Sequence, residues 1–312
     1  MPRPGEFVNS ARPGAVWAVF VTWNPDPDRL FEAVASLRAQ VEGVIVVDNG
    51  SDDVEQLAAH FASDERLTLV ALGENRGVGA ALNVGVRQAL AHDPQWIVTM
   101  DQDTVVSDGA VAAILRDFAA LDPDLARRCA LVALRPHPQP ASIWLTRYAE
   151  RLMELRDHGE FTERRGVITS GNLVRADVAR DVPFNEAMFI DQVDFDFCYS
   201  LRRRGFVILR QRAMTTDHVL GQRHQDGGRV HPYENAQRFY YVVRNSTFMA
   251  VRRRLPVRYY VVQVVVMAGA FVSVNGVGSV PLATAIIARG VLDAWRGRMG
   301  RREYPLLQRG RH

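Results

Sequence analysis

Apolar and polar positions between residues 16 and 120 follow two alternating rhythms. Val16–Thr22, Val44–Asp48, Leu67–Ala71 and Trp96–Met100 are short apolar runs rich in β-branched residues, as buried strands are. Between and after them, Asp28–Gln40, Val54–Ala62, Val78–His92 and Ala110–Leu121 carry helical spacing. Strands alternating with helices predict βαβ units and a mostly parallel, Rossmann-like sheet flanked by helices. Ligands of such sheets bind outside the carboxyl ends of the strands.

Each predicted strand ends in polar, loop-forming residues. Asn24 follows the first, Asp48-Asn49-Gly50-Ser51 the second, Glu74-Asn75-Arg76-Gly77 the third and Asp101-Gln102-Asp103 the fourth. Four such ends in a row point to one shared cleft. If Trp96–Thr104 continues as a strand, Asp101 and Asp103 face the same side and converge. Converging carboxylates repel unless a cation sits between them. Hard oxygen ligands suit Mg²⁺ or Mn²⁺, and Mg²⁺ commonly keeps coordination positions for substrate phosphates. A solvated turn is the competing reading of the same residues.

Residues 121–165 are rich in Pro and Arg and read as an insertion or a loop. Gly166–Val174 resumes a strand-like pattern around Ser170-Gly171-Asn172. Met188–Cys198 then places Asp191, Asp194 and Asp196 among apolar residues, before a basic helix, Tyr199–Arg204, that stops at Gly205. Buried aspartates are unfavourable without a role, although helix capping by Asp191 or Asp194 would supply one. From Tyr259 to Ala288 there is no formally charged residue. Glycines and Pro281 break this run and arginines flank it, so it reads as helices lying in an anionic membrane interface, with a buried helix pair or a dimer interface as the alternative.

Composition changes this picture little. The 312 residues suffice for one large or two modest domains, and the formal net charge is only +3. Nucleic acid is not an expected partner. All 38 basic residues are arginines, which grip phosphate with a planar fork. The two cysteines, Cys129 and Cys198, lack motif spacing and are expected to be free thiols. Residues 1–15 have no apolar core of the signal-peptide kind.

Taken together the motifs resemble the GT-A family 2 glycosyltransferases, particularly the bacterial rhamnosyltransferases that use dTDP-L-rhamnose. The carriers are Val21-Thr22-Trp23-Asn24-Pro25, Val46–Ser51, Asn75–Asn83, Met100–Thr104, Ser170-Gly171-Asn172, Asp191–Cys198 and Tyr240–Asn245. The resemblance implies a GT-A catalytic domain over 1–220, with a nucleotide half at about 16–120 and an acceptor half at about 121–220. A helical region that associates with the membrane would occupy 221–312. It implies an inverting transfer of L-rhamnose to a glycan or polyprenyl-linked acceptor, at the inner face of a bacterial cell membrane, with a homo-oligomer formed through the C-terminal helices as a further option.

The resemblance also implies residue roles. Asp48 would bind the nucleobase, and Asn75, Arg76 and Gly77 would contact base and ribose. Thr22, Asn24 and Gln102 would line the donor pocket. Asp101 would sit by the ribose or share the metal, Asp103 would ligate Mg²⁺ or Mn²⁺, and His218 would complete the metal site. Arg244 with Asn245, or Arg238, would meet the leaving group. Asp194 would be the base, with Asp191 as the runner-up, because Val193 stands where many relatives have Glu. Galactofuranosyl or another hexosyl transfer, and a non-catalytic nucleotide-sugar-binding relative, remain alternatives. The Asp101–Val105 segment also fits a haloacid-dehalogenase nucleophile loop, but that loop usually follows the first strand and is normally paired with a later lysine, which this chain lacks.

Overall fold

The computed structural model describes residues 15–136, 148, 150–218, 235–253 and 256–305, without the side chains of 214–218. The four expected strands form as β1 (Val16–Thr22), β2 (Gly43–Asp48), β3 (Leu67–Ala71) and β4 (Trp96–Asp101). The intervening helices are α1 (Pro27–Arg38), α2 (Val54–Phe61), α3 (Val78–Leu90) and α4 (Ala110–Ala119). Asp26 caps α1 by accepting the Arg29 N–H at 3.2 Å, and Pro27 opens the helix with its φ already set.

The strands pair in parallel in the order β3-β2-β1-β4. The chain builds outward from β1 to β3, then returns to place β4 on the other side of β1. The carboxyl ends of β1 and β4 therefore flank a topological switch point. Alternate residues of β1 enter separate cores: Val19 and Val21 pack toward α3, Ala18 and Phe20 toward α1. Burial on both faces explains why the strands read as continuous apolar runs. Gly85 lets α3 lie close to the sheet, since a Cβ there would meet Val19 Cγ1 at 2.3 Å.

The structure corrects the loop expected over 121–165. After the short helix α5 (Pro123–Arg128), Cys129–Pro136 is a buried strand, β6, and Glu154–His158 and Phe161–Arg164 form the hairpin β7–β8. Together with β5 (Thr104–Val106), β9 (Asn172–Arg175) and β10 (Val207–His218) they extend the sheet to ten strands among the described residues. β9 runs antiparallel between β4 and β6. Only the last part of Gly166–Val174 is strand; the preceding residues are a loop that reaches the cleft.

Two helices follow β9: α6 (Ala176–Asp181) and α7 (Val193–Arg203). α7 starts six residues before the expected basic helix and ends as expected, with Gly205 at φ +86° and its N–H on the Arg202 carbonyl. The C-terminal helices are α8 (Ala236–Arg252), α9 (Val257–Asn275) and α10 (Val280–Trp295). α8 packs on α10 around Phe239, Tyr240, Val243 and Ile286. The fully buried Asp293 joins them, accepting hydroxyl bonds from Tyr240 at 2.8 Å and Tyr304 at 2.7 Å.

Candidate active site

The carboxyl ends of β1, β2 and β4 are sewn together by short polar side chains. Gln102 Oε1 accepts the Thr22 hydroxyl at 3.1 Å and the Trp23 N–H at 2.8 Å, tying β1 to β4. Asn24, at φ +43°, joins β1 to β2: its N–H donates to Ser51 Oγ and its Oδ1 accepts the Asp52 N–H. Asp48 is fully buried and holds its own turn, accepting the Gly50 and Ser51 N–H groups and the Ser51 hydroxyl. A carboxylate has about four acceptor positions, and these bonds fill about three of them.

The third strand end is clamped to the second. Asn49 accepts the Arg76 N–H at 2.9 Å and donates to Asn75 Oδ1, which also accepts the Gly77 N–H at 3.0 Å. The backbone of Asn75-Arg76-Gly77 is thereby fixed, while the Arg76 side chain remains about half exposed. Gly77, at φ +90°, must be glycine: a Cβ would sit 2.7 Å from the Phe189 carbonyl oxygen.

Asp101 and Asp103 do not lie two apart along one strand, the arrangement expected from the sequence. β4 stops at Asp101 and β5 begins at Thr104, so Asp103 lies in the turn between them rather than two residues along one strand. The Asp101 N–H donates to Ser170 Oγ, and Arg29 Nε donates to the Asp103 carbonyl at 2.9 Å. Neither Ser170 nor Arg29 was expected at the site; the Ser170-Gly171-Asn172 motif was the available signal for the first. Antiparallel pairing sets the His218 backbone opposite Thr104, next to Asp103. The His218 side chain lies outside the described residues. Among the described residues no group of three or more His, Cys, Asp or Glu side chains is gathered as a metal would need. The side chains of Asp101 and Asp103 are oxygen donors of the kind that suits an ion keeping sites for substrate phosphates.

Asp194 opens α7 across the cleft from Asp101. Its Oδ1 accepts the Phe195 N–H at 2.8 Å. Burial pushes its carboxyl up to about 7, with the charges of Asp101 and Asp191 adding to the rise against the Phe195 bond. Asp196, two residues on and so on the other side of the helix, is structural: it lies 2.9 Å from Arg253 and accepts from Asn185 Nδ2 at 3.0 Å.

Asp194 is delivered by a strained segment. Phe189, Asp191 and Gln192 all have φ near +62° to +65°. At Phe189, φ 65° and ψ −65° with the Ile190 N–H on the Met188 carbonyl at 2.9 Å make a rare γ-turn. α8 holds it. Asn245 Nδ2 donates to the carbonyls of Met188, Ile190 and Asp191 at 2.9, 2.7 and 2.8 Å. Arg244 donates to the Met188 and Gly300 carbonyls and to Asn245 Oδ1, and its guanidinium lies 4.8 Å from the Tyr241 ring centre. Both residues are 0% exposed. This corrects the expected role of Arg244 and Asn245: both are fully buried, and each nitrogen of the Arg244 guanidinium and the Asn245 amide already bonds protein, so they position the segment rather than touch substrate. Arg238 lies 3.5 Å from Asp191.

Comparison with known proteins identifies the family and the fold. The profile of glycosyl transferase family 2 matches residues 17–182, more than half of the chain. The chain belongs to that family and has the GT-A fold. It is 26% identical to the dTDP-rhamnosyl transferase RfbF of Shigella flexneri, over 77% of this chain and 81% of that protein. An N-acetylglucosaminyltransferase of Azorhizobium caulinodans is 34% identical over 106 residues, 32% of this chain and only 26% of that protein. The crystal structure of GalNAc-T7 with UDP, GalNAc and Mn²⁺ superposes with a TM-score of 0.52 at 12% identity, and the match spans 77% of this chain but about half, 52%, of that one.

Proposed function

We propose that the protein is an inverting glycosyltransferase that moves L-rhamnose from dTDP-L-rhamnose to a hydroxyl of a glycan or lipid-linked acceptor. The observation that carries this reading is Asp194: a half-buried carboxyl that desolvation and the charges of Asp101 and Asp191 push up to about 7, at the Asp101 end of the donor cleft. A base with a pKa near the working pH both exists as carboxylate and accepts a proton well. The acceptor O–H gives its proton to Asp194 as the new bond forms to the anomeric carbon. The bond from that carbon to the diphosphate breaks with inversion, and dTDP leaves with the electron pair.

On the donor side, Asp48 would take the imide N–H of thymine. The fixed Asn75-Arg76-Gly77 backbone would border base and ribose, and the half-exposed Arg76 would reach phosphate. Thr22, Asn24 and Gln102 hold the cleft edges together, and their contribution to binding is this geometry. Asp101 and Asp103 would hold Mg²⁺ or Mn²⁺, with His218 as a further ligand. Such an ion, when bound, offsets the charge of the departing diphosphate. The rhamnosyl donor is supported by similarity to the Shigella flexneri transferase across most of both chains. An N-acetylglucosaminyl or other hexosyl donor is the second reading, favoured by the 34% identity confined to 106 residues.

Membrane association belongs to the same proposal. α9 and the segment Val277–Trp295 are long and apolar enough to cross a bilayer, by length and composition alone, and each is mostly unburied. Peripheral placement at the cytoplasmic face fits a lipid-linked acceptor, and a homodimer through these helices is the alternative use of the surface.

A donor panel tests the reading. Purified protein with Mg²⁺ is titrated with each nucleotide-sugar, and slow hydrolysis is followed. Tight, metal-dependent binding and hydrolysis of dTDP-L-rhamnose is the expected outcome. Binding of only a UDP- or GDP-sugar removes the rhamnosyl assignment, and full turnover in excess EDTA removes the metal.

A further inference from the structure

Away from the donor cleft, a cavity of about 280 Å³ opens between α7, the end of α8 and the start of α9. Four arginines line it: Arg165, Arg202, Arg203 and Arg253. The side chains of Met153, Phe195, Tyr199 and Met249 line it too and are largely apolar. Two of the four charges are met by carboxylates, Arg202 by Glu163 at 3.3 Å and Arg253 by the buried Asp196 at 2.9 Å. Among the described residues Arg165 and Arg203 form no ion pair. Arg165 Nε donates to the Leu152 carbonyl, and Arg203 lies 6.0 Å from the Tyr199 ring centre. Four arginines less two carboxylates leave two positive charges beside apolar walls. That combination suits a phosphate or diphosphate ester carrying an apolar group.

Two further features give the cavity a direction. Pro256 lines it and immediately precedes α9. From there Val257, Val261 and Val265, spaced by four residues on one helix face, are 66%, 50% and 56% exposed. An apolar track therefore leaves the rim of the cavity along α9. In the other direction, α7 carries Asp194 in its first turn and Arg202 and Arg203 in its last. At 1.5 Å per residue the charges lie about 12 Å along the helix from the proposed base.

We infer that this cavity seats the phosphate or diphosphate of a lipid-linked acceptor, with the lipid chain on the valine track and a short saccharide spanning back to Asp194. The inference rests on the transferase reading and names the acceptor class for the same reaction centre. α7 acts as the spacer: its basic end fixes the lipid phosphate, and its acidic end meets the hydroxyl to be glycosylated.

The test is a titration of the full-length protein, saturated with dTDP and Mg²⁺ to occupy the donor side, with farnesyl diphosphate as the probe. Wild type should bind it. Arg165→Glu combined with Arg203→Glu should weaken binding by roughly tenfold or more, as expected for lost charge-assisted contacts. Arg165→Gln with Arg203→Gln should fall between, and both variants should bind dTDP as wild type does, which reports an intact fold. Inorganic pyrophosphate should bind far more weakly than farnesyl diphosphate. Equal farnesyl diphosphate binding by wild type and the Glu variant overturns the inference. Equal binding of pyrophosphate and the prenyl ester reduces the cavity to an anion site and also overturns it. Cofloatation with phosphatidylglycerol vesicles separates the remaining source: if the Glu variant loses vesicle binding but keeps farnesyl diphosphate, the cavity reads bulk lipid headgroups and the acceptor assignment falls. Failure of wild type to bind dTDP would undo the transferase reading instead, and is read independently of the prenyl titration.

Discussion

The two sides of the cleft are built by opposite means. The donor side is made from adjacent strand ends of one sheet, joined by Thr22, Asn24, Asp48, Asn49 and Gln102 through bonds between neighbouring loops. The acceptor side is a strained segment, 188–192, whose shape depends on two side chains about fifty residues later, Arg244 and Asn245. The donor side is thus local and redundant, whereas the acceptor side is long-range and hangs on one helix. Damage to the C-terminal helices should therefore disable the base while leaving nucleotide binding largely in place.

The sharpest test of that contrast is Asp194→Asn. The amide keeps the shape and loses the proton acceptor, so turnover should fall on the order of 10²–10⁴-fold while the Kd for dTDP holds. Asp191→Asn should lose less and mainly affect acceptor use. The reverse ranking in a steady-state assay would transfer the role to Asp191.

Next in size is Asn245→Ala. It leaves the carbonyls of Met188, Ile190 and Asp191 without their shared donor inside the protein. A stability loss of about 2–4 kcal/mol is expected from chemical denaturation, with turnover lost before dTDP binding. Asn24→Ala, on the half-exposed donor side, should be milder, at about 1 kcal/mol. If Asn245→Ala impairs dTDP binding as much as turnover, the two sides are not separately built.

The smallest expected effect is on pH. Asp194 works as carboxylate, so transfer should rise as pH passes upward through about 7 and then level off. Asp191→Asn removes one of the charges raising that group without touching the proposed metal ligands, so the inflection should move to lower pH. Stability runs the other way. The folded protein holds this proton more tightly than the unfolded chain, whose aspartates titrate near pH 4, so stability declines as pH rises from about 4 to about 7. An inflection that does not move in Asp191→Asn would place another group in the rate profile.

The same contrast governs what could be read from the sequence. β1 to β4 and α1 to α4 were legible because strands buried on both faces are unbroken apolar runs and the helices between them keep a clean period. The clustering of Asn24, Asp48, Asn75 and Asp101 followed from topology alone. Cys129–Pro136 was overlooked although its first six residues are buried, because the surrounding prolines and arginines masked that short apolar run. Arg244 and Asn245 were seen as important but given the wrong task, since sequence cannot distinguish a buried arginine spent on carbonyls from one awaiting a phosphate. The positive φ angles of Phe189, Asp191 and Gln192 carry no sequence signature at all, as none is glycine.

Helix α3 touches both sides: Asn83 bonds Phe184 and Glu186, and a backbone bond reaches the turn itself. The Val78 N–H, at the start of α3, donates to the Phe189 carbonyl at 2.7 Å, within the turn that leads to Asp194. Gly77, next to Arg76, presses against the same carbonyl. A nucleotide that shifts the Asn75-Arg76-Gly77 backbone must therefore shift the turn as well, and the two ligands become thermodynamically linked. Whatever factor the nucleotide imposes on acceptor affinity, the acceptor must return to the nucleotide. The contact between α3 and the turn is then also a route by which one ligand would alter the affinity for the other.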